Sequence, residues 1–412
     1  MSDSTPQLNK KTYSAKEAAS IMLGAAFLMG TSAVGPGFIT QTTNFTRQIQ
    51  ASFGFAIIAS VIIGLIVQQN IWRILAVSGL RGQDVANKVL PGLGYFLAIA
   101  VALGGLAFNL GNVAGTGMGL EIMFGLDKTT TYILSAVMAI VLFLWKDLGK
   151  ALDVFAKILG VIMIALIAYG TVTTAPPVGD AVRETFMPSE TRLPVILPII
   201  LTLVGGTVGG YISFSGAHRL IDGGVTGQEN LQRISKGATQ GILITGVMRF
   251  LLFLAVLGVV VAGHTLDHPA NPAASVFLIT TGRVGLWIFG VILWAAGITS
   301  IVGASYTSAS FLRSLFPIVN KYNRAFIIGF IIVSTCLLII IGQPVHILVL
   351  AGALNGFILP LSLGCVLLAA YRKDIIGDYR HPLWLSGLGW IVLVGTLYLS
   401  WVALQRLGSL VG

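Results

Sequence analysis

Two membrane-length apolar stretches of this chain are interrupted near their middles, the first at Gly35-Pro36-Gly37 and the second at 205-GGTVGG-210. Proline removes a backbone donor and clashes with the preceding turn, and glycine adds backbone freedom, so a helix through 31-TSAVGPGFITQTTN-44 has to break. Hydrocarbon tolerates such a break only beside protein or water. The pattern therefore predicts non-helical backbone enclosed at the midplane of a multi-helix membrane protein.

The rest of the chain fits that frame. Of its 412 residues 55% are hydrophobic and only 10% charged, which no soluble core requires. Apolar runs at 18–45 (broken), 53–72, 93–124, 130–144, 158–174, 193–214 (broken), 237–261, 284–312, 326–341, 347–370 and 383–404 predict about eleven crossings. With the N-terminus inside, 18 of the 25 Lys and Arg fall on the cytoplasmic side, 6 fall outside and one, Arg249, lies within a span. This asymmetry predicts a multi-pass plasma (inner) membrane protein with a cytoplasmic N-terminus and an external C-terminus. The basic residues sit singly in short loops, so the formal charge of +10 marks topology and not nucleic-acid binding. Cys336 and Cys365 lie inside apolar runs without metal-ligand spacing and are expected to pack. No removable signal peptide is expected.

Each interrupted span opens a block of five. Breaks at matching places in two halves of odd offset imply inverted-topology repeats with a site where the breaks meet. The expected organisation is a cytoplasmic tail at 1–17, five-helix repeats at 18–175 and 176–375, and an appended eleventh helix within 376–412. The third and eighth spans correspond as well, through their small-residue runs 111-GNVAGTGMG-119 and 303-GASYTSAS-310. Gly115, Gly117 and Gly119 follow no strand, no GxxxxGK[ST] occurs, and the five histidines form no HExxH pair. An ATP-driven pump and an enzyme are both disfavoured, and no cofactor is expected.

The stretches 23-LGAAFLMGTSAVGPGF-38, 112-NVAGTGMGLEIMFG-125, 203-LVGGTVGG-210, 294-WAAGITSIVGASYTSASFL-312 and 348-LVLAGALNGFILPLSL-363 resemble the NRAMP divalent-metal transporters over nearly the whole chain. That resemblance implies an all-α, LeuT-like 5+5 inverted repeat with the first and sixth helices broken, working by alternating access. The departures fall on the metal site. The family's Asp-Pro-Gly-Asn has its acidic and amide positions at Gly35 and Phe38, and its Met-Pro-His corresponds to Gly209, Gly210 and Tyr211. A tenth-span glutamine appears as Ile358, and acidic residues tied to proton passage align with Asn109 and Asn112. The resemblance is closest to a bacterial subgroup without the metal motif that is associated with 5-oxoproline breakdown genes, which implies a small lactam carboxylate.

The residues give the same direction independently. All fifteen carboxylates, among them Asp84, Glu121, Asp147, Asp153 and Asp222, fall in loops or near span ends, so no formal negative charge would counter a dehydrated dication. Facing half-helix N-termini instead suit an anion. The expected substrate site comprises Gly35, Gly37, Phe38, Thr40, Gln41, Gly206, Thr207, Gly209, Gly210 and Tyr211. Close helix packing is the competing reading for any single glycine. Asn109, Asn112, Thr299, Ser300, Asn355 and Arg249 are candidates for pathway or coupling, with Na+ or H+ as the coupling ion. For Thr299 and Ser300 the alternative is hydrogen bonding within their own helix, for Asn355 helix bridging, and for Arg249 a peripheral side chain that snorkels. The leading expectation is a secondary transporter of a small organic carboxylate, with a divalent-metal carrier and a non-transporting receptor or scaffold as alternatives.

Overall fold

The computed structural model describes residues 35–189, 192–268, 271–342 and 344–405, and all regular elements there are helical. The expected tail, the first half of the first span and Arg406 lie outside the described residues. In chain order the helices are α1 (Pro36–Ile49), α2 (Phe53–Ser78), α3 (Gly82–Val89), α4 (Leu93–Phe124), α5 (Lys128–Leu144), α6 (Lys146–Thr174), α7 (Val178–Phe186) and α8 (Leu193–Val208). They continue with α9 (Tyr211–Asp222), α10 (Leu231–Val261), α11 (Pro272–Arg313), α12 (Pro317–Lys321), α13 (Asn323–Ile341), α14 (Pro344–Ala369), α15 (Lys373–Ile376) and α16 (Leu383–Gln405).

Eight described segments are long and apolar enough to cross a bilayer, and a ninth is the pair 161–174 with 178–186, bent by 110°. Two expected spans, α1 and α2, run together in the segment Pro36–Ser78, and α5 is an apolar helix of 17 residues. A helix or broken pair thus stands at each of the eleven expected places. Large apolar side chains such as Ile340, Leu383 and Trp401 are exposed on outer faces, where they meet lipid and not water.

Proline stands in the first turn of several helices, and glycine sets one bend. Pro36 and Pro272 occupy the first helical turn, where a missing N–H costs nothing. Inside α11, Gly282 adopts φ 66°, ψ −163°, which divides a leading segment, 272–281, from the spanning part. α11 packs along α4, α14 lies between α4 and α8, and α10 covers α2, so the two interrupted spans are enclosed by α2, α4, α10, α11 and α14.

The sixth-span interruption is narrower than the sequence suggests. Gly205, Gly206 and Thr207 are helical within α8, and only Gly209 (φ −83°, ψ 159°) and Gly210 (φ 50°, ψ −123°) leave the helix before α9 begins. The reason is packing. A Cβ on Gly205 would stand 1.9 Å from the carbonyl oxygen of Gly352 on α14, so α8 and α14 cross at backbone contact.

Polar side chains tie the remaining helices. Asn70 on α2 donates to the carbonyls of Ile66 (2.8 Å) and Leu385 (3.3 Å), and its Oδ1 is 2.9 Å from His381 Nε2 in the loop before α16. Burial, helped by the Arg73 cation, holds the His381 imidazole down at about 4. Because the folded value lies below the unfolded one near 6.5, this neutral histidine favours the fold above pH 6.5, and its contribution is lost as pH falls toward 4. The loss amounts to roughly 3 kcal/mol at most. Melting of the detergent-solubilised protein is expected to drop over pH 6.5 to 4 more steeply in the wild type than in His381→Gln, as followed by a thermal-shift titration.

Candidate functional site

The first break is held at α1's N-terminus. Gly35 is its extended N-cap, Pro36 has no N–H, and the Phe38 amide already donates to the Gly35 carbonyl at 3.0 Å. Pro36 and Phe38 therefore leave this N-terminus fewer free amides than a helix start ordinarily offers an anion. A Cβ on Gly35 would stand 3.0 Å from Ser300 Oγ and 3.5 Å from Asn112 Oδ1, while Gly37 faces Phe108 and Leu348 at ordinary contact distance. Phe108 in turn packs edge-on against Tyr211, the first residue of α9, with centroids 5.5 Å apart. Gly35, Gly37, Asn112, Ser300 and Tyr211 are thus gathered at one place, as the matching of the two breaks implies.

Other expected site residues are engaged in holding helices together. Gln41 is fully buried, donates to the Leu348 carbonyl at 3.1 Å, and its amide fills the space beside Gly206 and Gly352. A Cβ on Gly210 would lie 1.6 Å from Asn355 Oδ1, and one on Gly209 would meet the Gly205 backbone. Gly206, Gly209 and Gly210 therefore serve close packing in this structure and leave no ligand space at their Cβ positions. Asn355 bridges α14 and α4 through the Gly104 carbonyl at 2.9 Å. Asn109 donates to Ser305 (3.3 Å) and Ser334 (2.8 Å), linking α4 to α11 and α13. Thr299 bonds the carbonyls of Ala295 and Ala296 in its own helix, the local alternative to holding a coupling ion.

Thr40 leads to a residue that sequence reasoning missed. Its hydroxyl accepts from Asn271 Nδ2 at 2.9 Å, and Asn271 also caps α11 by accepting from the Ala273 amide at 2.8 Å. The signal was present in Asn271-Pro272, an N-cap residue followed by proline in the first turn. Phe108 and Leu348 carried no such signal, since apolar residues in apolar helices look alike.

Arg249 departs most from expectation. It lies twelve residues, ~18 Å, from the C-terminal end of α10, only 2% exposed, and so does not snorkel. Its guanidinium carbon stands 4.4 Å from the centroid of the Phe38 ring, and NH1 donates to Thr207 Oγ1 at 3.1 Å. Among the described residues Nε and NH2 have no hydrogen-bond partner and no carboxylate pairs with the guanidinium. The helix that the fold analogy made peripheral thus delivers a cation to both breaks at once, on Phe38 of α1 and Thr207 of α8. A cation–π contact and one neutral hydrogen bond contribute about 1–3 kcal/mol together. Burying an unpaired ion costs several kcal/mol. The arrangement is therefore short of one negative charge.

The family model described as natural resistance-associated macrophage protein-like matches residues 26–405. The chain belongs to this NRAMP-like family. Among relatives, it is 55% identical to the membrane protein YcsG of Bacillus subtilis over 93% of this chain and 94% of the relative. It is 24% identical to the divalent metal cation transporter MntH of Mesorhizobium japonicum, over 92% of this chain and 87% of that one. Among solved structures, a manganese transporter of Eremococcus coleocola superposes with a TM-score of 0.73 at 14% identity, covering 97% of this chain and 89% of its own. MhsT, solved with L-phenylalanine, gives a TM-score of 0.68 at 15% identity, covering 92% and 98%. The fold is that of the NRAMP and LeuT-like transporters.

Within this NRAMP-like frame, no group of three or more His, Cys, Asp and Glu among the described residues is placed to hold a metal ion. The glycine pair in α8 separates packing from adaptability. Gly205→Ala drives a methyl into the backbone of α14, whereas Gly206→Ala meets only the movable end of Gln41, with Oε1 2.7 Å away. Gly205→Ala is expected to cost 3 kcal/mol or more and Gly206→Ala about 1 kcal/mol, read as melting temperatures in detergent.

Proposed function

We propose that this NRAMP-like transporter carries a small organic carboxylate, 5-oxoproline-like or amino-acid-like, through alternating access about the two broken helices. One observation carries the reading: the buried Arg249 guanidinium, seated on Phe38 and Thr207 with Nε and NH2 unpartnered. A carboxylate accepts paired N–H groups from arginine and neutralises it, and charge-assisted bonds of this kind are about twice as strong as neutral ones. The Asn112 amide group, whose Nδ2 has no partner among the described residues, offers a further donor beside Gly35. Phe108 and Leu348 supply the apolar wall for a small carbon skeleton. The fold has room for such a ligand, since MhsT is known in complex with an amino acid. Symport with Na+ or H+ across the plasma membrane belongs to the same proposal, with Ser300 beside Gly35 as its candidate hydroxyl.

A divalent cation is the second reading, favoured by the distant relatives that are metal transporters. Electrostatics opposes it. A dication at these breaks would face a guanidinium and no described carboxylate, and at 5 Å with an effective dielectric of 20 that repulsion is roughly 7 kcal/mol.

Uptake into proteoliposomes discriminates the two. Radiolabelled 5-oxoproline or an amino acid is expected to accumulate saturably, manganese is not, and Arg249→Gln should lower carboxylate uptake at least tenfold while Arg249→Lys keeps part of it. Manganese uptake at micromolar concentration that persists in Arg249→Gln would overturn the carboxylate reading.

A further inference from the structure

On the Lys- and Arg-rich side of the protein a single carboxylate gathers partners from two other elements. Asp222, the last residue of α9, accepts from Arg81 immediately before α3, from Arg313 at the end of α11, and from the hydroxyl of Tyr306 two turns back along α11. We propose that Asp222 is the latch that holds the cytoplasmic mouth of the transport pathway shut.

The surrounding contacts show what the latch fastens. About one turn inward, His218 Nε2 accepts from the Gly82 amide at 3.1 Å and its Nδ1 lies 3.0 Å from Ser310 Oγ. The His218 ring packs against Phe311 and Phe214, with centroids 4.8 and 5.8 Å away. From α3, Gln83 donates to the Ser310 carbonyl at 3.0 Å and to Ser314 Oγ at 2.6 Å. The short helix α3 therefore lies across the seam between α9 and α11 and is fastened to both. Tyr306, Ser310 and Arg313, at i, i+4 and i+7, form the stripe of α11 that meets α9.

Charge gives Asp222 its leverage. The side chains of Arg81, Asp222 and Arg313 are 20%, 23% and 19% exposed, so solvent screens their attraction only in part. Without the carboxylate the two guanidiniums face each other as like charges. Asp84 on α3 is the other acid close to them, but burial raises its carboxyl above the usual range, although Ser314 and the arginines oppose this. On the opposite side, α1 is fastened to the leading segment of α11 by the neutral bond that Asn271 donates to Thr40. α9 hangs from the Gly209-Gly210 break, where the helix is already interrupted, so it can swing as a unit once its far end is released. An intact Asp222 latch therefore biases the protein toward the state closed to the cytoplasm.

The test does not depend on the identity of the solute. Thr307 is buried on α11 one turn from Phe311, on the face that meets α9, and its hydroxyl bonds only its own helix. Thr307→Cys in a Cys336→Ser, Cys365→Ser background is exposed to a membrane-impermeant maleimide in inside-out vesicles. Labelling should be slow with Asp222 intact, about tenfold faster in Asp222→Asn, and faster by a smaller factor in Tyr306→Phe. Tyr306→Phe and Arg313→Gln keep the test decisive if Asp222→Asn does not fold. Labelling that is unchanged or slower in the folded variants would overturn the latch.

Discussion

Bilayer hydrocarbon cannot solvate an unpaired peptide group, and this constraint governs the packing around both interrupted helices. Around the α8–α9 break several backbone groups find partners in the surrounding structure. The Ile212 amide turns back to the Gly209 carbonyl at 3.2 Å, the Ser213 hydroxyl reaches the Val208 carbonyl, and Trp72 donates to the Ser213 carbonyl at 2.8 Å. Each group left unsatisfied would cost several kcal/mol. The surrounding helices α2, α4, α10, α11 and α14 must therefore close tightly on the breaks, which is why glycines crowd the crossings of α8 with α14 and of α4 with α11.

The centre that this packing encloses is cationic. At the breaks themselves stand Gly35 and Gly209, which bring no side chain to this centre. The positive charge arrives from a third helix, α10, through Arg249. A guanidinium that lies on an aromatic face and keeps two nitrogens unpaired is electrostatically incomplete, and a carboxylate matches it in geometry as well as in charge.

Much of the architecture was legible in the sequence because it rests on periodicity, length and composition. Apolar runs, the two glycine interruptions and the bias of Lys and Arg are local signals, and they gave the spans and the location of the breaks. Side-chain partnership is not local. Gln41 meets Gly206 and Gly352 across 165 and 311 residues, and nothing in either segment announces that the glycines make room for that amide. Arg249 was visible as an intramembrane charge, but its direction depends on the rotation of α10 against α2, which the sequence pattern of an all-round apolar helix leaves undetermined. Asn271-Pro272 and the Tyr306, Ser310, Arg313 stripe were readable signals that gain meaning only once α1, α3 and α9 are in place.

The placement of Gln41 has a mechanical consequence. Wedged between Gly206 of α8 and Gly352 of α14 and bonded to the Leu348 carbonyl, it keys α1 to both neighbours, while Arg192 at the start of α8 grips the Ile49 carbonyl at the far end of α1, 2.6 Å away. α1 and α8 are thus pinned to each other at both ends and form one rigid pair. Phe38 of α1 and Thr207 of α8 are joined through one side chain, Arg249, and the backbone breaks that flank them, at Gly35 before α1 and at Gly209-Gly210 after α8, are joints where this coupled pair meets the rest of the fold.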